Sequence, residues 1–187
     1  MRPGGSWRAV PASSSAAGSI FGVHPGAYRG VRIDAVGSTR IRRIIKAPRE
    51  RVYQALIDPA AVASWRVPAE MTCEVHEFEA REGGALRISL TYEAPDRAGK
   101  TVGRTDTYRG RFVKLVPNEL VVEADEFETA DPAMRGEMLS TIRLSDADGG
   151  TELVAVHDQL PAGVSPADNE TGWRESLARL AALVESP

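Results

Sequence analysis

The sequence predicts an α+β domain in which one long C-terminal helix covers a curved antiparallel sheet of about seven strands. From residue 71 onward, apolar residues recur with a period of two, and turn signals divide this region into six strands. Residues 164–185 instead show the period of a helix. An antiparallel sheet with one solvated face needs a cover for its other face, and we expect this helix to supply it.

The region before the six strands predicts one strand and two short helices. "STRIRRIIKA" (38–47) is a β-branched run, which favours a strand. "PRERVYQALID" follows as a helix, with Pro48 at a first helical position. Asp58 and Pro59 start a second short helix, which Pro68 ends.

Glycine-rich turns connect the six strands into hairpins. Gly83 and Gly84 join "TCEVHEFEA" to "ALRISLTYEA", and "DADGG" joins the last two strands. The strand "ALRISLTYEA" alternates between polar residues and four apolar ones, which predict a buried face: Leu86, Ile88, Leu90 and Tyr92. The next strand alternates in the same way, with Tyr108, Gly110 and Phe112 on one face.

The final helix changes character along its length. Ser165 and Pro166 give it a cap and a favoured first turn. At 100° per residue, the covering face carries polar or small residues and one indole in its first half and apolar residues in its second: Asn169, Gly172, Trp173 and Ser176, then Leu177, Leu180, Leu183 and Val184.

The glycine in this helix costs on the order of 1 kcal/mol of helix propensity relative to alanine. We therefore expect the first half of the helix to cover a pocket and the second half to close the core. The alternative is that Trp173 packs on the sheet as a core residue, with its N–H bonded to a carbonyl.

Residues 1–37 differ in composition from the domain predicted at 38–187. Sixteen of the first 38 residues are Gly, Pro or Ser, and there is no continuous apolar stretch of the kind found in a secretory signal. The acid-poor start has a faint likeness to an organellar transit peptide. We expect a disordered extension, or one that is not translated, with the true start near Val31.

Composition excludes several classes of protein. A 42% hydrophobic and 26% charged chain is typical of a soluble globular protein, and no window approaches the roughly 20 apolar residues of a membrane span. The single cysteine, Cys73, cannot form an internal disulfide. Residues 1–51 carry ten Lys or Arg against two Asp or Glu, but these charges are scattered and do not predict nucleic-acid binding. We expect a cytoplasmic protein, monomeric or homodimeric.

Four segments closely resemble bacterial proteins of the SRPBCC superfamily: "RIIKAPRERVYQALIDPAAVASW", "FEAREGGALRISLTY", "YRGRFVKLVPNELVVE" and "GWRESLARLAALVE". These are START-like relatives of the birch pollen allergen, in the group named after the activator of heat shock protein 90 ATPase. The resemblance covers about residues 38–187 and implies a helix-grip fold with an apolar cavity between the sheet and the long helix. It implies no single activity, since the superfamily includes lipid carriers, polyketide cyclase/dehydratases and co-chaperone domains.

The resemblance also suggests which residues contact a ligand. Seven residues are expected to do so: Trp65, Ile88, Leu90, Tyr92, Phe112, Asn169 and Trp173. All but Asn169 match family positions near the cavity or on the inward strand faces, whereas Asn169 is chosen from the helix pattern.

Catalytic and metal-binding motifs are scarce. Cys73 and His76 have a metal-like spacing, but residues three apart on a strand point to opposite faces. His157 could be a general base at a pocket rim, or a satisfied histidine near a strand end. The acids of "EADEFETAD" are most simply a solvated strand face, although Glu74, Glu77, Asp106 and Asp125 could point inward. No nucleophile stands beside a base in any motif, and we expect no cofactor.

The function predicted first is the binding of a hydrophobic or aromatic small molecule in the cavity. The alternatives are a cyclase/dehydratase-type enzyme that uses the same cavity, and a co-chaperone-like protein that docks a client on the outer face of the sheet. Convergent polar groups of perturbed acidity would favour the enzyme, an all-apolar cavity would favour the carrier, and an exposed apolar patch would favour the client.

Overall fold

Seven strands form one antiparallel sheet in the computed structural model of the chain, which describes residues 37–186. The described elements follow the predicted order: β1 (Thr39–Ile45), α1 (Arg49–Ile57), α2 (Pro59–Trp65), β2 (Met71–Phe78), β3 (Ala85–Tyr92), β4 (Thr105–Val116), β5 (Leu120–Phe127), β6 (Met138–Ala147), β7 (Gly150–Asp158) and α3 (Pro166–Glu185). A short 3-10 turn at Pro132–Met134 lies between β5 and β6. The predicted helix-grip fold is confirmed, while the predicted extension lies, except for Gly37, outside the described residues.

Strands β2 to β7 form a meander, and β1 joins the sheet beside β7. The sheet order is therefore β1-β7-β6-β5-β4-β3-β2, with β1 and β2 at the two edges. Helices α1 and α2 connect these edges, so the chain crosses one face of the sheet between its first and second strands. That face is the one that α3 also covers, because α3 contacts β1 and both short helices.

Local signals explain where the helices begin. The Asp58 carboxylate accepts a hydrogen bond from the Ala61 N–H at 2.7 Å, and the Ser165 hydroxyl accepts one from the Asp168 N–H at 3.3 Å. Pro48 is the N-cap of α1 and not its first helical residue as predicted, since its ψ of 148° is extended. The helix itself begins at Arg49.

The second half of α3 packs against the sheet, with one residue different from the prediction. Leu177, Leu180 and Val184 are buried as expected, but Leu183 is 40% exposed. Ala181 takes its place in the core at 3% exposure. At 100° per residue, position 181 lies closer than 183 to the centre of the face that the buried leucines define.

Two glutamates of α3 accept hydrogen bonds from backbone N–H groups before α1 and after α2. Glu175 Oε2 accepts a hydrogen bond from the Ala69 N–H at 2.9 Å, and Glu185 Oε1 accepts one from the Lys46 N–H at 2.8 Å. The first bond joins the segment after α2 to the first half of α3, where the candidate site lies.

Candidate functional site

A cavity of about 810 Å³ lies between the first half of α3 and the sheet. Its wall also includes the segment after α2, the loop between β3 and β4, and the residues that precede α3. This volume is in the range of cavities that hold small molecules or cofactors. The wall is mixed in character and not all-apolar, with aromatic and methionine side chains beside charged ones.

The four unusual residues of α3 all face this cavity. Asn169, Gly172, Trp173 and Ser176 are part of its wall. A Cβ atom at Gly172 would lie 3.5 Å from Pro68 Cγ, which is an ordinary van der Waals contact. Glycine is therefore not required there by a clash, and its effect is to leave space between α3 and the segment after α2.

The seven predicted ligand contacts fall into two groups. Leu90, Tyr92, Asn169 and Trp173 line the cavity. The other three lie in the core and are not part of the cavity wall: Trp65, Ile88 and Phe112.

Specific contacts explain the core positions of two of these side chains. The Trp65 indole N–H donates to the Ala55 carbonyl at 2.8 Å, which turns the ring into the helical pair. Phe112 packs edge-to-face on Phe78, with ring centroids 5.2 Å apart. As ligand contacts these residues stay predictions, whereas packing explains their burial without a ligand.

His157 is a buried and neutral residue of the cavity wall. Its Nδ1 lies 3.1 Å from Asn169 Nδ2, and Asn169 Oδ1 accepts a hydrogen bond from the Thr39 hydroxyl at 2.8 Å. Asn169 Oδ1 lies 3.3 Å from the same Nδ1, so the amide can donate to a bare Nδ1 or accept from Nδ1–H. Burial lowers the pKa of His157 to about 4, with Arg66 adding to the shift and Asn169 opposing it. Trp173 packs edge-to-face on the imidazole at 4.9 Å.

A buried arginine lies beside two buried carboxylates, and we call Arg66, Glu123 and Asp125 the Arg66 cluster. Arg66 and Asp125 are part of the cavity wall. Arg66 Nη2 lies 2.6 Å from Glu123 Oε2 and 3.4 Å from Asp125 Oδ2. The guanidinium also lies over the rings of Tyr108 and Trp173, with 5.5 and 5.9 Å to the centroids. Burial works against the arginine charge, yet Glu123 and Asp125 hold its pKa well above the usual value.

Within this cluster one cation faces two acids. The three residues are 7%, 4% and 2% exposed, so water screens none of these charges effectively. Burial and the nearby Glu123 carboxylate raise the pKa of Asp125 to about 8, although Arg66 acts in the opposite direction. Burial and Glu123 therefore favour the protonated form of Asp125, and Arg66 lies closer to Glu123 than to Asp125.

The Asp125 side chain occupies space that a missing side chain leaves open. Gly110 lies directly opposite on β4, where an added Cβ would come within 2.2 Å of Asp125 Oδ1. Among the described residues this buried oxygen has no hydrogen-bond partner. Asp125 is a residue of the cavity wall, although this oxygen itself is buried.

The inward acids correct the interpretation of "EADEFETAD" as a solvated face. Glu123 and Asp125 are buried, and so is Asp106, which accepts hydrogen bonds from the backbone and the side chain of Lys100. Glu74 and Glu77, the other candidates, are exposed. One sequence signal pointed to this site, because a glycine opposite an acid on paired strands leaves room for the carboxyl group.

A second group of polar residues lies on the opposite face of the sheet. His76 Nε2 is 2.8 Å from the Ser89 hydroxyl, and Glu74 Oε1 is 3.5 Å from His76 Nδ1. This pairing of the Ser89 hydroxyl with His76 was not predicted from the sequence. Ser89 also bonds Thr107 at 2.8 Å, and the strand N–H groups around it pair with neighbouring strands, so no oxyanion donor is at hand.

Other classes of site find no support in the part of the chain that the structure describes. No group of three or more His, Cys, Asp or Glu side chains there is placed to hold a metal ion. None of the described helices is long and apolar enough to cross a membrane. Among the described residues, four large apolar side chains have substantial exposure: Ile44 on β1, Val102 in the loop before β4, Val113 on β4 and Leu183 on α3.

Comparisons with known proteins agree with the fold and the resemblance. The family model described as Activator of Hsp90 ATPase homolog 1-like protein matches residues 46–185. A crystal structure of a Chromobacterium violaceum protein is 36% identical over 81% of this chain and 99% of that chain, with a TM-score of 0.73. A Rhodobacter sphaeroides protein is 25% identical over 79% and 91% of the two chains, with a TM-score of 0.65.

More distant relatives share the fold alone. The solution structure of an AHSA1-like protein from Aeromonas hydrophila is 16% identical over 79% of this chain and 92% of that chain, with a TM-score of 0.60. A search of curated proteins found no match. The family match spans most of the described domain, and the chain therefore belongs to the family of Activator of Hsp90 ATPase homolog 1-like proteins, within the START-like SRPBCC superfamily.

Proposed function

We propose that this protein binds an aromatic or otherwise largely apolar small molecule between α3 and the sheet. The observation that carries the proposal is a cavity of about 810 Å³ whose wall combines aromatic rings with a buried polar cluster. Tyr92, Tyr108, Phe127 and Trp173 supply ring surface, and burial of apolar ligand area against such rings is favourable by roughly 25 cal/mol per Å².

Polar groups of the wall support a ligand with a defined orientation. The Arg66 cluster lies on the sheet side of the cavity, and Asn169 with His157 lies near the start of α3. A few placed polar groups in an otherwise apolar wall are what fixes the orientation of a bound molecule. The wall is more polar than the apolar cavity that was expected from the sequence. The ligand should therefore carry polar atoms as well as a ring.

Native mass spectrometry of the full chain as purified tests this proposal. We expect a bound small molecule that is released under denaturing conditions. Trp173→Ala should lose the bound mass, because the indole forms part of the cavity wall. Leu183→Ala is the matched control, since it truncates an exposed side chain of the same helix. A bound mass that survives Trp173→Ala, with the variant folded by circular dichroism, would contradict the cavity as the binding site.

A cyclase/dehydratase-type enzyme is the second candidate, and one observation favours it. Asp125, a proton-holding acid, and His157, a neutral base, belong to the same cavity wall. Two titratable groups whose environments shift their acidity in opposite senses are typical of acid–base sites. Conversion of the co-purifying molecule on incubation, abolished by Asp125→Asn, would support the enzyme, whereas unchanged ligand would support a carrier.

The other functional expectations stay predictions. The fold is compatible with a protein partner as well as with a small molecule. A cytoplasmic location and a monomeric or homodimeric state belong to the same proposal. Size-exclusion chromatography with light scattering would determine the oligomeric state directly.

A further inference from the structure

The guanidinium of Arg66 is only partly paired within the protein. Its side chain is 9% exposed, and one nitrogen, Nη2, approaches both carboxylates, at 2.6 Å from Glu123 and 3.4 Å from Asp125. Among the described residues, Nε and Nη1 have no hydrogen-bond partner, and neither belongs to the fully enclosed polar atoms that lack one. These two nitrogens therefore keep open space beside them, and the open space next to Arg66 is the cavity.

Two aromatic rings of the cavity wall hold the guanidinium in place. Its Cζ lies 5.5 Å from the ring centroid of Tyr108 on β4 and 5.9 Å from that of Trp173 on α3. The guanidinium thus contacts both the sheet side and the helix side of the wall. Because ring contacts and an ion pair already fix this planar group, it loses little further freedom when it binds a ligand.

The charges of the Arg66 cluster indicate which kind of acceptor fits its free donors. Two carboxyl groups face one guanidinium, so the cluster is neutral when Asp125 is protonated and carries one negative charge when Asp125 is ionised. Neither state has the excess positive charge that would stabilise a buried anion. Lys100, another cation of the wall, is already paired with Asp106. A neutral ligand oxygen accepts a hydrogen bond without adding a buried charge.

We infer that the free N–H groups of Arg66 donate to an uncharged acceptor oxygen of the bound molecule, so that the cavity takes aromatic carbonyl compounds in preference to aromatic hydrocarbons and carboxylates. This inference rests on the proposed binding function and names the chemical class of its ligand. A guanidinium has only donors, and buried donors are nearly always paired in folded proteins. A ligand carbonyl in the cavity supplies the acceptor that the described residues do not give to Nε and Nη1.

Three naphthalene probes test the inference with the full-length chain. The first, 1-acetylnaphthalene, carries a carbonyl; the second, 1-ethylnaphthalene, has a similar shape without one; and the third, 1-naphthoate, carries a carboxylate. Equilibrium dialysis at neutral pH gives their dissociation constants. The quantity compared between variants is the ratio of the constants for the ketone and the hydrocarbon. That ratio removes the difference in water solubility between these two probes, which is the same for every variant.

Arg66→Lys separates the free donors from the ion pair. The lysine ammonium keeps a cation beside Glu123, but it lacks the Nε and Nη1 groups. We expect the preference for the ketone over the hydrocarbon to fall by about tenfold, as the loss of one hydrogen bond from a charged group would give. Arg111→Lys is the matched control, because Arg111 also pairs with a carboxylate, Glu137, but is not part of the cavity wall. It should leave the ratio unchanged.

The carbonyl stretching band of bound 1-acetylnaphthalene gives a measurement that needs no variant. A ¹³C label at the carbonyl isolates this band in an infrared difference spectrum of the wild-type complex. Because a hydrogen bond lowers the stretching frequency, we expect the band below its position in hexane. In Arg66→Lys it should return toward that position, and the wild-type result holds even where this variant fails to fold.

The outcomes that overturn the inference differ from those that overturn the binding proposal. A carbonyl band at its hexane position, an unchanged ratio in Arg66→Lys, or tighter binding of 1-naphthoate than of the ketone by the wild type would overturn the inference, while binding of the probes would leave the binding proposal standing. If none of the three probes binds the wild-type protein, the proposed function and the inference are overturned together.

Discussion

Replacing Gly110 by alanine tests whether the buried acids depend on a missing side chain in β4. A Cβ at this position would lie 2.2 Å from Asp125 Oδ1 and 2.4 Å from the Ala124 carbonyl oxygen. Ordinary contacts between such atoms are at roughly 3.5 Å, so something must move by more than an ångström. Gly110 has no positive φ, and the effect of alanine is therefore steric and not conformational.

The atoms that would have to move are a carbonyl oxygen of the strand backbone and the carboxyl group of the short, buried Asp125 side chain. Overpacking of this kind costs about 1–3 kcal/mol. For a domain of this size, 1 kcal/mol shifts the Tm by roughly 2–4 °C. We therefore expect Gly110→Ala to lower the Tm by about 2–12 °C in a thermal unfolding curve followed by circular dichroism.

Gly172→Ala is the matched control for this experiment. Its Cβ would meet nothing closer than Pro68 Cγ at 3.5 Å, and alanine is the better helix former by about 1 kcal/mol. The expected result is a Tm that rises by roughly 2–4 °C. If Gly110→Ala and the wild type had equal Tm values, the predicted steric clash would be wrong, because Asp125 would not need the space at Gly110.

Three further predictions concern the buried polar groups. Arg66→Met should destabilise the fold by about 3–5 kcal/mol in urea unfolding, because it leaves Glu123 buried without its cation; a loss below 1 kcal/mol would contradict a buried ion pair. Asn169→Ala should cost about 1–3 kcal/mol in the same assay, because it leaves His157 Nδ1 and the Thr39 hydroxyl without their partner, and an unchanged midpoint would argue against this network. The pH dependence of stability has a defined sign for two groups. The pKa of Asp125 rises from 3.8 to about 8 on folding, so its contribution falls as pH rises between those values; the pKa of His157 drops from 6.5 to about 4, so its contribution rises with pH between about 4 and 6.5. The two contributions to the pH dependence of stability have opposite signs below pH 6.5. From pH 6.5 to about pH 8, Asp125 alone should lower wild-type stability by up to about 1.4 kcal/mol per pH unit relative to Asp125→Asn. Parallel urea-derived stability curves for the two proteins would show that Asp125 titrates normally.

Much of the fold could be predicted because each element carries its own local signal. The alternation in β3 and the cap at Ser165 are properties of short segments, and the structure confirms both elements. The polar first half of α3 was also a usable signal, since Asn169, Trp173 and their neighbours all face one cavity. These features follow from periodicity, which requires only neighbouring residues.

The register between β4 and β5 could not be predicted because β4 carries a bulge. Pairing starts with Val116 opposite Leu120, and counting back without interruption would place Phe112 opposite Ala124. The register shift between Phe112 and Lys114 instead places Phe112 opposite Glu123. The extra residue, Val113, lies on β4, so that Phe112 and Leu115 both face the core. Strand β5 alternates without interruption, and its acids share the inward face of Val121.

The burial of β5 gives no indication of the face on which its acids lie. Leu120, Val122 and Ala124 lie on the outer face, yet they are 6%, 3% and 1% exposed. Because both faces of this central strand are covered, its burial does not alternate, and parity alone gives no information. Arg66 was missed for a related reason, since a single arginine after a helix usually faces solvent and its partners are more than fifty residues away in the chain.

The indole N–H signals in a ¹H–¹⁵N spectrum of the full chain test directly whether a ligand binds between α3 and the sheet. Trp173 lines the cavity, whereas the Trp65 N–H is bonded to the Ala55 carbonyl in the core and serves as an internal reference. On titration with 1-acetylnaphthalene, we expect a saturable shift of the Trp173 signal and a nearly constant Trp65 signal. A saturable shift of Trp65 with no change at Trp173, or constant signals from both, would contradict a ligand site between α3 and the sheet.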